Sequence, residues 1–344
     1  MKTDLRLQWT LPVDANIKQR GNSLGYATSS VRICEALQRK GVVFDDKADI
    51  ALHYGFGGLY KPVEGKKNVI YTMFESPHLP PEVHEPLRNC DLIITPSLWC
   101  GEIFERHTNK PIWVVPLGVD PAFTYKKRQR RKDEKFQWLY VGAPNYRKIT
   151  IVPELYSLIL SRANQAHLYL KLTGCDLSDL DKMLAMDGVK EVEENLWVGP
   201  NCTVDNRYLS QQDLVKLYHD SHGFFFLTCG EGFGLTGLEA MATGLSPIIT
   251  NYSGVTEYVN RNNCRLVPAK FKSLPTKDER TGEVIHQWLG WPVIELAMEQ
   301  VQLAMTEDPK ITEKRGRLAS KAAKAFTWDF CAEGIIEAIR SLGD

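Results

Sequence analysis

Short strand-like runs, several of them apolar throughout, recur down this chain and alternate with segments of helical spacing. The expected strands are Asp49 to His53, Asn68 to Met73, Leu92 to Thr95, Ile112 to Pro116, Phe136 to Val141, His167 to Thr173, Gly223 to Thr228 and Ser246 to Thr250. A strand with no polar face has no side to offer water, so it must be covered above and below, as in parallel sheets with helices on both faces. Helices are expected at Ser30 to Lys40, Val152 to Ala163, Ser210 to Asp220, Leu235 to Ala242, Pro292 to Met305 and Phe330 to Leu342. The alternation predicts an α/β chain of βα units. At 344 residues, two domains are the natural division.

Charge locates the seam between them. Residues 1–120 carry 14 basic and 14 acidic side chains, residues 121–136 carry 7 and 2, and the remainder 21 and 26. The middle piece, with Tyr125-Lys126-Lys127-Arg128-Gln129-Arg130-Arg131-Lys132, follows a turn-rich Pro116 to Pro121 and reads as a linker. Like charges repel, so such a block is expected to stay solvated, or else to grip phosphate groups of an acceptor. Over the whole chain 42 basic residues balance 42 acidic ones, which removes any general argument for a nucleic acid or anionic membrane partner. No apolar run approaches the roughly 20 residues of a membrane helix, and the opening residues lack an apolar signal core, so a soluble, cytoplasmic protein is expected. Eight cysteines without a C-x-x-C pair fit buried reduced thiols, and leave the sequon Asn201-Cys202-Thr203 idle.

The most informative stretch runs from Gly223 to Ala242: a buried strand, the glycine turn Gly230-Glu231-Gly232-Phe233-Gly234, then a helix. Backbone N–H groups at a helix N-terminus carry about half a positive charge and suit phosphate. Gly232, Gly234 and Gly237 also satisfy G-x-G-x-x-G, so an NAD-dependent oxidoreductase is a rival reading. Two residues oppose it. Asn251 stands where the ribose-binding acid should be, and Glu231 would repel a pyrophosphate lying over it. A carboxylate at each side of a phosphate cradle, Glu231 before it and Glu239 beyond it, suits a ligand with hydroxyls at both ends and phosphates between, which describes a nucleotide sugar.

With these residues in order, "EGFGLTGLEAMATGLSPIITNYSGVTEYV" resembles the donor-site motif of the retaining GT-B glycosyltransferases of the group 1 (GT4-like) family. The resemblance implies two Rossmann-like domains with parallel sheets facing a central cleft. It divides the chain into an acceptor-side domain at 1–124, the basic linker at 125–136, a nucleotide-sugar-binding domain at 137–325, and a last helix at 326–344, with Thr327-Trp328, that crosses back onto the first domain. It implies that Glu231 holds hydroxyls of the transferred sugar, that Glu239 holds the ribose, and that amides around Gly232, Phe233, Gly234 and Leu235 face the diphosphate. Trp138 to Lys148 is similar to the first strand and loop of the family's C-terminal domain, placing Gly142 in the donor site and Arg147 and Lys148 on the leaving phosphate. Fixed cations and a helix N-terminus neutralise a departing diphosphate without a metal, and neither a metal site nor a tightly bound cofactor is expected.

Toward the N-terminus the likeness thins. The loop Arg20 to Tyr26 is similar to the family's first glycine loop, which implies donor contact at Gly25 and adds Tyr26 as a sugar or acceptor contact. Asn68 to His78 corresponds to the strand and loop that deliver a histidine to the sugar in many members; here Glu75 takes that place and is a functional candidate. His53 and His78 are open between sugar contact and ordinary hydrogen-bonded structure. The expected reaction is metal-independent transfer of a hexosyl or pentosyl group, with retention, from a UDP-, GDP- or ADP-sugar to an acceptor hydroxyl. The acceptor is open among carbohydrate, lipid-linked and small-molecule hydroxyls, and hydroxylated bases of DNA, as in compact viral enzymes. A same-fold epimerase is a further rival, as is a phosphorylase, for which no pyridoxal-binding lysine is evident.

Overall fold

The computed structural model describes residues 4–10, 25–55, 60–131, 133–143, 157, 165–173, 188–277 and 284–343. The first sheet comprises β1 (Arg6–Thr10), β2 (Val43–Phe44), β3 (Ile50–Tyr54), β4 (Lys67–Tyr71), β5 (Leu92–Thr95) and β6 (Ile112–Val114). Its order is β2-β1-β3-β4-β5-β6, parallel throughout. Helices α1 (Gly25–Arg39), α2 (Pro81–Asn89) and α3 (Leu98–Glu105) connect its strands. Leu92, Ile93 and Ile94 of β5 are all fully buried, the two-sided covering that an all-apolar strand demands.

The second sheet comprises β7 (Phe136–Gly142), β8 (Ala166–Leu172), β9 (Lys190–Glu193), β10 (Leu196–Val198), β11 (Cys202–Asp205), β12 (Gly223–Phe226), β13 (Ile248–Thr250) and β14 (Arg265–Val267). The order is β14-β13-β12-β7-β8-β11-β10-β9, with β10 antiparallel to both its neighbours and the other pairs parallel. Helices α4 (Gln211–Asp220) and α5 (Leu235–Ala242) flank β12. A two-stranded hairpin, β15 (Ala269–Lys277) and β16 (Val284–Pro292), precedes α6 (Ile294–Thr306), α7 (Pro309–Ala323) and α8 (Trp328–Arg340). The α/β architecture, with one wholly parallel and one mainly parallel sheet, is the class expected from the apolar runs.

Two passes of chain join the halves side by side, and Val119 N–H donates to the Phe326 carbonyl at 3.0 Å where they touch. Beyond that point α8 returns to the first sheet. It ion-pairs with the end of α1 and the residue after it, Arg39 to Asp329 (2.6 Å) and Lys40 to Glu333 (2.5 Å), and brings Cys331 beside the Tyr71 hydroxyl.

Most side chains of the basic run after residue 125 are exposed, and several of them make ion pairs. Lys126 pairs with Asp220, Lys127 with Glu313, and Arg131 with Glu134. Arg128 is partly buried and donates to the carbonyls of Tyr218, Ser221 and Thr243; burial lowers its pKa to about 10, which leaves it charged at neutral pH. Among the described cysteines, Cys90, Cys100, Cys202, Cys229, Cys264 and Cys331 are buried and Cys34 is partly so, all as free thiols. Among the described residues no helix is long and apolar enough to cross a membrane.

Candidate functional site

The glycine turn hangs between β12, whose four residues are all buried, and the N-terminus of α5. Gly234 is the residue before the helix and adopts φ 87°, the left-handed region; a side chain there would also strike Phe226, the Tyr258 hydroxyl and Val255 within 2.9 Å. Tyr258 Oη donates to the Gly234 carbonyl at 2.7 Å, so the aromatic residue holds the turn that excludes it. The first N–H groups of α5 have no acceptor inside the helix and point out of its end. Phe233 is buried with its ring edge-on to Tyr258 and Phe326, which anchors the turn in the core.

The segment Ser253–Glu257, a 3₁₀ turn, clamps the glycine turn from the other side. Glu231 N–H donates to Ser253 Oγ at 2.8 Å and Gly254 N–H donates back to the Glu231 carbonyl at 2.9 Å. A Cβ on Gly254 would lie 2.0 Å from the Gly232 carbonyl oxygen, so only glycine permits this approach. Ser253 itself takes φ 67°, a strained choice for a residue with a side chain. The clamp fixes Glu231, which is 8% exposed, by its backbone on both sides.

Glu239 lies one turn further along α5, partly buried. Burial raises its carboxyl from 4.5 to about 7; the Tyr218 hydroxyl, donating to Oε2 at 3.0 Å, opposes the rise and the negative charge of Asp120 adds to it. Asp120 in turn is paired with Arg32 of α1 at 2.5 Å.

Loops of the first sheet press directly onto this turn. Ser97 Oγ caps α3 by accepting from Cys100 N–H and donates to the Gly232 carbonyl at 2.8 Å. Glu257 Oε1 accepts from Leu98 N–H at 2.5 Å, and burial raises the pKa of its carboxyl against that bond. The Glu75 carbonyl would meet a Cβ on Gly230 at 2.2 Å, so the backbone of Glu75 rests on the residue preceding Glu231. Tyr26 joins them: its hydroxyl donates to the Met73 carbonyl at 3.2 Å, and burial, with the charge of Glu75, raises its pKa well above 10. Gly25 opens α1 with open space where a Cβ would stand.

The structure thus gathers Glu75, Tyr26, Glu231, Gly232 and Gly234 at one seam. Other candidates sit elsewhere. His53 is buried in β3, its Nε2 hydrogen-bonded to Asn68 Oδ1 at 2.9 Å and its ring edge-on to Tyr60; burial lowers its pKa. His78 is exposed, its ring 6.4 Å from that of Trp288. Gly142 ends β7 beneath the Tyr140 hydroxyl. Arg147 and Lys148 lie outside the described residues, as does the helix expected at 152–163. Sequence reasoning missed Ser97, the bond that Glu257 makes across the seam and the whole β15–β16 hairpin; serine before an apolar helix start was the one available signal.

Two mainly parallel sheets thus meet at the glycine turn. Residues 187–274 match the family model for glycosyl transferases group 1, and the fold is that of GT-B glycosyltransferases. Particular relatives are distant. Mannosylfructose-phosphate synthase of Agrobacterium fabrum (strain C58 / ATCC 33970) is 21% identical over 265 residues, 72% of this chain and 52% of that protein, so the chain spans about half the length of the curated relative it matches. Among solved structures, sucrose-phosphate synthase from Thermosynechococcus elongatus superposes with a TM-score of 0.72 at 14% identity, covering 98% of this chain and 99% of that one. HepE of Anabaena, solved with UDP and glucose, gives 0.62 at 12% identity over 98% and 99% of the two chains. WaaG, a glycosyltransferase involved in lipopolysaccharide biosynthesis, gives 0.61 at 12% over 96% and 98%. At these identities the likeness is one of fold.

Proposed function

We propose that the protein transfers a glycosyl group, with retention, from a nucleoside diphosphate sugar to an acceptor hydroxyl. The observation that carries this reading is the pair Glu231 and Glu239 on either side of a glycine turn whose backbone is clamped by Ser253 and Gly254. Glu231 orients the sugar through its hydroxyls, Glu239 accepts from the ribose, and the N–H groups of Gly234 and Leu235 lie toward the diphosphate. Arg147 and Lys148 offset the charge that builds on the departing phosphate. The bond from the anomeric carbon to the phosphate oxygen breaks as the acceptor oxygen bonds to that carbon on the same face. The acceptor proton passes to the leaving phosphate oxygen. Glu75 and Tyr26 close the sugar end from the first sheet.

The complex of HepE with UDP and glucose favours a uridine donor over the guanosine and adenosine alternatives. The pairing of Lys126, Lys127 and Arg128 weakens the case for a DNA-gripping arm and for a modified-DNA acceptor. Buried free thiols fit a reducing, cytoplasmic setting. Incubating the protein with UDP-, GDP- and ADP-sugars and an acceptor panel should release one nucleoside diphosphate, with turnover unchanged by EDTA and reduced roughly ten- to a thousandfold in Lys148→Ala. Normal turnover in that variant, or reduction of NAD instead of diphosphate release, overturns the reading.

A further inference from the structure

The β15–β16 hairpin presents large aromatic rings to water at the edge of the seam. Its register sets Phe271 opposite Gly290 and Ser273 opposite Trp288, and directly opposed residues of an antiparallel pair share a face. On that face Phe271 is 60% and Trp288 43% exposed. The Tyr252 ring bridges inward, edge-on to Phe271 at 5.3 Å and to Trp99 of α3 at 5.6 Å. The hairpin is fixed by its other face: Leu289 is fully buried, and Lys272 lies 4.8 Å over the Trp291 ring.

Two backbone anchors place this shelf against the reacting end of the candidate site. Gly290 N–H donates to the carbonyl of Cys229, two residues before Glu231, and the Trp288 carbonyl accepts from Ser76 Oγ, next to Glu75. A shelf in that position lies beside the sugar of the donor, where the acceptor must arrive. Exposed tryptophan and phenylalanine offer a large apolar area at low entropic cost, together with a π-face. A sugar ring matches it, with one apolar C–H face and hydroxyls around its rim. An acceptor rich in phosphate would instead want cations here, and the hairpin's Lys270 and Lys272 pair across with Trp291 and Leu289, on the opposite face.

We propose that the Phe271–Trp288 face of the hairpin is the acceptor subsite and that it takes a neutral carbohydrate, seated ring on ring. The assignment rests on the glycosyl-transfer reading above, and the test separates the two. Binding of maltotriose, cellotriose and chitotriose, and of a ten-residue oligothymidylate, is measured on the full chain by saturation-transfer NMR, with UDP-, GDP- and ADP-glucose titrated alongside by calorimetry. At least one trisaccharide should bind. Phe271→Ala and Trp288→Ala should each weaken it about tenfold, equivalent to about 1.4 kcal/mol, Trp288→Tyr should restore most of the affinity, and Lys272→Ala on the far face should change nothing. Donor affinity and melting temperature should stay level across the set. The proposal is overturned if no trisaccharide binds, if binding ignores both aromatic substitutions, or if only the oligothymidylate depends on them. Failure of every nucleotide sugar to bind the unaltered chain would instead remove the donor reading, whatever the trisaccharides do.

Discussion

Replacing Glu239 with glutamine tests whether this carboxylate meets the donor in its charged form. The fold raises its pKa from 4.5 to about 7, chiefly by burial. At about 1.4 kcal/mol per pH unit, the structure disfavours the ionised group by up to about 3 kcal/mol. The unfolded chain loses this proton first, near pH 4.5, so stability falls as pH climbs from there toward 7 and is level above it. Glu239→Gln removes that decline, so its stability should match the native protein near pH 4 and exceed it at pH 8 by up to about 3 kcal/mol in urea titrations. Ligand affinity should move the opposite way. If ribose hydroxyls donate to the carboxylate, only the ionised form binds well, and with a pKa of about 7 the ionised share is about one tenth at pH 6 and nine tenths at pH 8. The affinity for UDP should therefore rise about tenfold more across that interval in the native protein than in Glu239→Gln. Ionisation of UDP itself contributes equally to both proteins and drops out of the comparison. Parallel affinity profiles for the two proteins would refute the role given to Glu239.

Gly254→Ala forces a methyl group into the Gly232 carbonyl and should cost about 1–3 kcal/mol of stability while weakening UDP binding at least tenfold; melting curves and calorimetry check both, and an unaltered pair of values would contradict the clamp. Ser97→Ala removes the cap of α3 and the bond to Gly232, so unfolding by urea should come about 1 kcal/mol sooner. Arg128→Ala strands buried carbonyls and should destabilise by about 1–3 kcal/mol, whereas Lys126→Ala and Lys127→Ala should each lie within about 1 kcal/mol of the native protein. Equal effects of all three on the urea midpoint would refute the distinction drawn between Arg128 and its neighbours.

The central strands were legible because burial on both faces writes itself as continuous apolar sequence; β5 falls on the expected Leu92–Thr95, and α5 on the expected Leu235–Ala242. Elements with another kind of buried face were not. Helix α7 turns Gly316, Ala319, Ser320 and Ala323 inward, so its periodicity is carried by small residues and the charged ones dominate the eye. The strand β9 is exposed at all four positions and owes its place to pairing at the sheet edge. Within the candidate site, Glu231 and Glu239 could be read from their spacing about a glycine turn. The hydrogen bond between Glu257 and Leu98 could not, because it joins residues 159 positions apart through a contact that exists only once both sheets have formed.

The return of α8 to the first sheet makes that half of the molecule discontinuous in the chain. Ile335, Ile339 and Cys331 are fully or nearly fully buried, in one core cluster with Leu92 and Ile94. A fragment ending before Trp328 would bare that wall of the core, so the amino-terminal half cannot be excised as a self-sufficient piece. The first sheet is thus covered in part by a helix that leaves the ribosome only after every strand of the second sheet has been made.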